Sequence, residues 1–179
     1  MKSPNAAILL VDDSPDDLDL LKIAFRAAKV ANPILSVNSG NEAIAYLNGE
    51  GKFADRTTYP YPTFILTDLK MPNGDGFSVL ENLKKNPEWA VIPTVVMSGS
   101  ADHDDIKRSY MLGASSYFIK PGDYDALKVL MQTLHNYWKS CETPATDTTG
   151  KRLETDSRGK LGARFAQADQ ANVEGSERA

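Results

Sequence analysis

Five polar side chains that could bind or transfer an anionic group stand directly after apolar runs of the sequence. Asp12 and Asp13 follow one run, and Asp68, Ser98 and Lys120 each follow another. Clustered carboxylates repel one another and need a cation, and a small oxygen-only ligand set suits Mg²⁺. A carboxylate can also act as a nucleophile and form an aspartyl-phosphate. These residue types therefore predict Mg²⁺-dependent phosphoryl transfer, provided that the fold brings them together.

The apolar runs and the patterns between them predict elements that would do so. Five short runs predict strands, at residues 6–11, 34–37, 64–66, 92–97 and 117–119. Apolar residues at helical spacing follow each run. This alternation favours parallel βαβ units in an α/β, doubly wound sheet, whose strands share one rim at their carboxyl ends.

Chemistry assigns each polar residue at this rim a role. Asp68 is the predicted phosphoryl acceptor, and Asp12 and Asp13 are predicted to hold the metal ion. Lys120 offers a positive charge and Ser98 a hydroxyl donor for the oxygens of a phosphate group. Taken singly, the acids could be helix caps and Ser98 a turn residue; their joint placement favours the site.

Two other stretches bear on the surroundings of this rim, namely the start of the first helix and a long connection after the second. The first helix is predicted to begin at Ser14 and Pro15, a serine cap followed by a first-turn proline. Its apolar spacing assigns Asp16 and Asp17 to the outward face.

Residues 48–62 form a long connection between a helix and a strand. They are either a tolerated surface insertion or a loop that binds a partner.

Composition limits the class of protein. The chain has 179 residues, 41% of them hydrophobic, so a sizeable core is available. A net charge of -4 gives no electrostatic reason to expect nucleic acid or an anionic membrane as a partner. No apolar run is long enough to span a bilayer, no hydrophobic signal stretch leads the chain, and the single cysteine cannot form an internal disulfide. We therefore expect a cytoplasmic protein with one domain at residues 1–142 and a polar, disordered tail at residues 143–179.

Four motifs together resemble the receiver domain of a two-component response regulator. They are residues 11–15 (VDDSP), residues 68–72 (DLKMP) with Gly74 and Gly76, residues 97–99 (MSG) and residues 117–121 (YFIKP). The resemblance implies a flavodoxin-like fold with strand order 2-1-3-4-5 and a phosphorelay in which a sensor histidine kinase phosphorylates Asp68. It also implies that the Lys70 backbone carbonyl joins Asp12, Asp13 and Asp68 as a ligand of Mg²⁺, for which Mn²⁺ can substitute. Tyr117 matches the switch aromatic of the family.

Loop features narrow the resemblance to stand-alone regulators that are paired with phytochrome-type histidine kinases. These features are the long insertion ending in residues 59–62 (YPYP), Asn32 with Pro33, and residues 86–89 (NPEW). The resemblance implies a homodimer through the face made by the fourth helix, the fifth strand and the fifth helix. No DNA-binding segment follows the receiver, so the expected output is contact with another protein.

Two alternatives remain. A phosphorylation-independent interaction module could use the same fold, but the complete set of polar residues favours the phosphorylated switch. A Mg²⁺ phosphohydrolase usually needs a second acid just after the nucleophile, where this chain has Leu69 and Lys70. We therefore expect a signalling switch without a separate turnover activity.

Overall fold

A parallel sheet forms the centre of the computed structural model, which describes residues 7–141. Its strands are Ala7–Val11 (β1), Ile34–Val37 (β2), Pro62–Thr67 (β3), Thr94–Ser98 (β4) and Ser116–Ile119 (β5). The strand order is β2-β1-β3-β4-β5, and every neighbouring pair is parallel. The predicted doubly wound, flavodoxin-like sheet is therefore confirmed. The tail predicted at residues 143–179 lies outside the described residues.

Helices connect the strands. They are Pro15–Ala27 (α1), Gly40–Asn48 (α2), Gly76–Lys85 (α3), His103–Met111 (α4) and Tyr124–Ser140 (α5), with a short 3₁₀ helix at Gly51–Ala54. Each α-helix follows a side chain that accepts a hydrogen bond from a backbone N–H of the first turn; these caps are Ser14, Ser39, Asp75, Asp102 and Asp123. None of the helices within residues 7–141 has both the length and the apolar character needed to cross a membrane.

Both faces of the sheet are covered. Along β1, Ile8 and Leu10 pack into a core with α1 and α5, whereas Leu9 and Val11 pack into another core with α2 and α3. Successive strand residues point to opposite faces, so a strand covered on both sides must be apolar throughout. This explains why the central strands are continuous apolar runs rather than alternating patterns.

The fourth strand begins later than the sequence predicts. The apolar run suggests a start at residue 92, but β4 begins at Thr94. Ile92 instead donates its backbone N–H to the carbonyl of Trp89, 2.8 Å away, in a turn after α3. Pro93 has no N–H to give to a strand ladder. The strand also ends later than predicted: Ser98 is its last residue rather than the first residue beyond it, because Ser98 still pairs with Ile119 of β5.

The connection at residues 49–61 is an ordered structure built around Arg56. Its guanidinium donates to the Tyr46 carbonyl and the Leu47 carbonyl, each at 2.9 Å, and so caps the end of α2. The same group lies 4.0 Å from the centre of the Tyr61 ring. Three further aromatic rings pack in tilted and edge-to-face contacts with their centres 5.0–6.1 Å apart, namely those of Tyr46, Phe53 and Tyr59. The insertion therefore extends the core on the α2 side.

We expect Arg56→Ala to lower the free energy of unfolding by about 1–3 kcal/mol, because carbonyl groups at the end of α2 lose their charged donor. Urea unfolding followed by circular dichroism measures this loss. The matched control is Lys52→Ala, which removes an exposed cation of the same insertion that pairs with Glu42. Its effect should be much smaller. Equal losses in the two variants would show that Arg56 does not organise the segment.

Candidate functional site

The carboxyl ends of β1, β3, β4 and β5 are tied together by backbone hydrogen bonds. The Asp68 N–H donates to the Val11 carbonyl at 2.8 Å, and the Lys120 N–H donates to the Ser98 carbonyl at 2.8 Å. These bonds join β3 to β1 and β5 to β4, and the ladder between β3 and β4 joins the two pairs. The predicted convergence of polar residues at one rim is therefore present in the structure.

Three carboxylates meet at the centre of this rim. One oxygen each from Asp12, Asp13 and Asp68 lies within 4.8 Å of the other two. Asp12 is 2% exposed, whereas Asp13 faces solvent. Asp68 accepts the Leu69 N–H on Oδ1 at 2.6 Å. An oxygen-only cluster open to water on one side is the kind of donor set that Mg²⁺ takes.

Lys120 reaches over this cluster from the end of β5. Its Nζ donates to Asp12 Oδ2 at 2.7 Å, to Asp17 Oδ2 at 2.8 Å and to Asp68 Oδ2 at 3.2 Å. Burial lowers the pKa of the Lys120 ammonium, but the hydrogen bonds to Asp12 and Asp17 and the charge of Asp68 outweigh it and raise the pKa above its ordinary value. Lys120 therefore stays positively charged at neutral pH.

The electrostatics of Asp12 fit a second cation. Burial raises the pKa of its carboxyl group, and the hydrogen bonds from Lys120 and the Ser14 N–H only partly oppose this effect. The nearby Asp68 charge raises the pKa further. A divalent cation among Asp12, Asp13 and Asp68 would offset both the burial and the repulsion. The role of the Lys70 carbonyl as a further ligand stays a prediction.

Ser98 and Tyr117 both contact Ser100, in the loop after β4. Ser98 is 1% exposed, and its Oγ accepts the Ser100 N–H at 3.4 Å. The Tyr117 hydroxyl donates to the Ser100 carbonyl at 2.9 Å, and its side chain packs against the buried cluster that contains Leu69 and Val96. The structure thus joins Ser98 to Tyr117 through Ser100. A direct contact of Ser98 with a phosphate group stays a prediction.

Lys70 connects the loop after β3 to the first turn of α4. Its Nζ lies 3.0 Å from Asp105 Oδ2, an oxygen that also accepts the Ser100 hydroxyl at 2.6 Å. The hydrogen bonds from Ser100 and Lys70 keep the pKa of Asp105 below its ordinary value. Asp105 is therefore a charged partner for both Lys70 and Ser100 at neutral pH.

The sequence patterns do not predict two of these residues. Helical spacing assigns Asp17 to the outward face of α1, but its carboxylate turns to Lys120. The missed signal is that Asp17 lies in the first turn of a helix that begins at the rim, where a side chain can reach back over the strand ends. Asp105 has the same position in α4, but nothing in the sequence pairs it with Lys70.

Gly76 allows the loop after β3 to close tightly. A Cβ at this position would clash with the Asp68 carbonyl oxygen and lie 2.9 Å from the Leu69 Cα. The Gly76 N–H donates to the Leu69 carbonyl at 2.9 Å. Glycine is therefore required for α3 to begin directly against the backbone that carries Asp68.

Comparisons with known proteins agree with this geometry. Residues 8–132 match the family described as response regulator receiver domain. The response regulator Rcp1 of Synechocystis sp. is 32% identical over 136 residues, which are 76% of this chain and 90% of that protein.

Two solved structures are similar throughout their length. The phosphorylated cyanobacterial phytochrome response regulator RcpA superposes with a TM-score of 0.73 at 34% identity, covering 79% of this chain and 99% of that one. The Mn²⁺-bound form of Rcp1 superposes with a TM-score of 0.71 at 31% identity, covering 78% and 99%.

We expect Gly76→Ala to destabilise the protein by about 1–3 kcal/mol, because the added methyl group meets backbone atoms that must move. The movement displaces the Asp68 carbonyl, so Mg²⁺ affinity should fall as well. Urea unfolding and calorimetric Mg²⁺ titration measure the two effects. Gly122→Ala is the control, since a Cβ there meets open space. Wild-type stability and affinity in Gly76→Ala would refute the steric argument.

Proposed function

We propose a function from one premise: the chain belongs to the response regulator receiver domain family. It acts in a two-component phosphorelay and accepts a phosphoryl group on Asp68 from a sensor histidine kinase. The observation that carries this proposal is the meeting of Asp12, Asp13 and Asp68 within 4.8 Å, with Lys120 Nζ 3.2 Å from Asp68. The proposal places the relay in the cytoplasm, where an unpaired cysteine stays reduced.

The reaction needs one nucleophile and several fixed charges. An Asp68 carboxylate oxygen attacks the phosphorus atom, a new O–P bond forms, and the P–N bond to the donor histidine breaks with its electron pair left on nitrogen. Lys120 neutralises charge on the phosphoryl oxygens, and the Ser98 hydroxyl donates to one of them. The three clustered carboxylates and the Lys70 carbonyl would hold Mg²⁺ or Mn²⁺, and the bound cation would supply charge that screens the repulsion between the two anions. Hydrolysis later returns the Asp68 carboxylate and releases phosphate.

The relatives support this assignment by what has been observed for them. RcpA was solved as a phosphorylated phytochrome response regulator, and Rcp1 was solved with Mn²⁺ bound. This chain carries acids, a hydroxyl and a lysine suited to the same two ligands. We extend the resemblance to the kinase and propose a phytochrome-type histidine kinase as the phosphoryl donor.

The output proceeds through α4, β5 and α5. A phosphoryl group that draws the Ser98 hydroxyl also moves Ser100, whose carbonyl holds the Tyr117 hydroxyl. Tyr117 therefore reports the state of Asp68 to the surface. Large apolar side chains are exposed on this surface, namely Tyr110, Met111, Ile119, Val129 and Tyr137. We propose that they form the contact of a homodimer.

Wild-type protein incubated with Mg²⁺ and a small phosphodonor such as acetyl phosphate should gain one phosphoryl group, stable in acid and labile in base. Intact-mass spectrometry detects the gain. Asp68→Asn should abolish it because the nucleophile is lost, and chelation of Mg²⁺ should abolish it in the wild type. Asp19→Asn, an exposed acid of α1, is the control and should be modified normally. Absence of the gain in wild type would favour a phosphorylation-independent interaction module instead, and an equal gain in Asp68→Asn would refute Asp68 as the acceptor.

The dimer proposal predicts that Met111→Asp and Val129→Asp each yield a monomer. The two side chains are 67% and 63% exposed, so a charge there should spare the fold and oppose the apolar contact. Multi-angle light scattering, with and without the phosphoryl mimic beryllium trifluoride, measures the mass. Val91→Asp places the same charge at an exposed position outside these elements and should keep the dimer. A wild-type monomer in both conditions excludes the dimer.

A further inference from the structure

Asp17 is neither the proposed phosphoryl acceptor nor one of the proposed metal ligands, yet it contacts Lys120. We infer that Asp17 is a positioning residue for the transfer reaction: its carboxylate holds the Lys120 ammonium in the resting protein and releases it to the incoming phosphoryl group. This inference rests on the proposed function of Asp68.

The hydrogen-bond donors of Lys120 are fully engaged in the resting site. An ammonium group has three N–H donors. Carboxylate oxygens of Asp12, Asp17 and Asp68 lie at 2.7, 2.8 and 3.2 Å from Nζ, so each donor has a partner. A phosphoryl oxygen can bind Lys120 only when one of these partners leaves.

Exposure decides which partner leaves. The side chains of Asp12 and Asp68 are 3% and 12% exposed, whereas that of Asp17 is 40% exposed. Separating Lys120 from a buried carboxylate leaves an unpaired charge in a medium of low dielectric, which is costly. A carboxylate at the surface regains water and loses little. Asp17 is therefore the partner that yields its hydrogen bond.

The surroundings of Asp17 suit this exchange. Asp17 and Lys120 line an open cleft of about 220 Å³ between α1 and the start of α5. A carboxylate that swings away from Lys120 stays in contact with solvent there. Asp17 also lies in the first turn of α1, next to the Ser14 cap, where the helix dipole stabilises a negative charge. A released Asp17 carboxylate would thus keep two sources of stabilisation, water and the helix N-terminus, without a new partner.

This role predicts opposite effects on two ligands. In Asp17→Asn the side chain keeps its size and loses its charge, so Lys120 turns more strongly to Asp12 and Asp68 and competes with the metal ion. The Mg²⁺ dissociation constant should rise about two- to fivefold. At saturating Mg²⁺ the dissociation constant of beryllium trifluoride should fall by about the same factor, because the mimic no longer competes with Asp17 for Lys120.

The chain offers a close control in Asp16. It lies in the same helical turn and faces solvent, and in the described part of the chain no hydrogen bond or ion pair holds its carboxylate. Asp16→Asn makes the same change in net charge at the same end of α1. It reports the long-range effect of lost negative charge, which salt screens. A restored acid in Asp17→Glu should recover most of the wild-type behaviour.

The experiment titrates Mg²⁺ alone, and then beryllium trifluoride at saturating Mg²⁺, into the full-length chain by calorimetry. Wild type, Asp17→Asn, Asp16→Asn and Asp17→Glu are compared, with thermal unfolding as a check on folding. The Mg²⁺ titration is repeated with Asp17→Asn in a Lys120→Gln background. If Asp17 acts through Lys120, its effect there should shrink to that of Asp16→Asn.

The outcomes separate the two proposals. If wild type binds neither ligand, the proposed function itself fails. If wild type binds both, but Asp17→Asn matches Asp16→Asn or weakens both ligands, only the role of Asp17 is overturned. If Asp17→Asn changes Mg²⁺ binding just as much in the Lys120→Gln background, the role of Asp17 is overturned as well.

Discussion

The structure depends on a balance of charge at the carboxyl edge of the sheet. Asp12, Asp13 and Asp68 approach one another within 4.8 Å, and one ammonium group, that of Lys120, lies among them. A single positive charge does not neutralise three negative ones, and the pKa of Asp12 is raised because burial and the Asp68 charge both disfavour its ionised form. The excess negative charge favours a divalent cation, and under the proposed function that cation would allow the same rim to accept a dianionic group. The excess of negative charge at the site is thus also the basis of its proposed chemistry.

The fold holds this unfavourable arrangement through its backbone. The acids stand at the ends of strands that are buried on both faces, so their main chain cannot retreat without disrupting the core. Hydrogen bonds from the Asp68 N–H to Val11 and from the Lys120 N–H to Ser98 fix adjacent strand ends in register. The bare Cα of Gly76 lets α3 start against the Asp68 carbonyl. The repulsion among the acids is therefore balanced by packing energy stored elsewhere in the domain.

The sequence alone predicts the sheet and the meeting of its rim residues, because continuous apolar runs that end in polar residues are typical of buried parallel strands. The strand order follows from the resemblance of four motifs to a known family. Neither source predicts which side chains pair. Helical spacing describes the direction of Asp17 from its own helix and carries no information about a lysine 103 residues later. The role of the insertion stays open from sequence because the capping of α2 by Arg56 depends on a turn whose path is set by tertiary contacts. Local sequence patterns determine the secondary-structure elements, whereas the pairing of side chains from different elements depends on the assembled fold.

The anchoring of α4 suggests how, under the proposed function, a charge change at Asp68 would reach the surface. Among its described residues only Ser109 is fully buried, so little apolar packing fixes this helix. Polar contacts hold it instead: Asp105 binds Lys70 and Ser100, and an ion pair at the surface joins the helix to α3. Lys70 follows Asp68 by two residues in the sequence, so under the proposed function a dianionic group on Asp68 would change the charge next to the loop that carries the partner of Asp105. An apolar contact would not respond to such a change, whereas a helix held by charged contacts could respond to it.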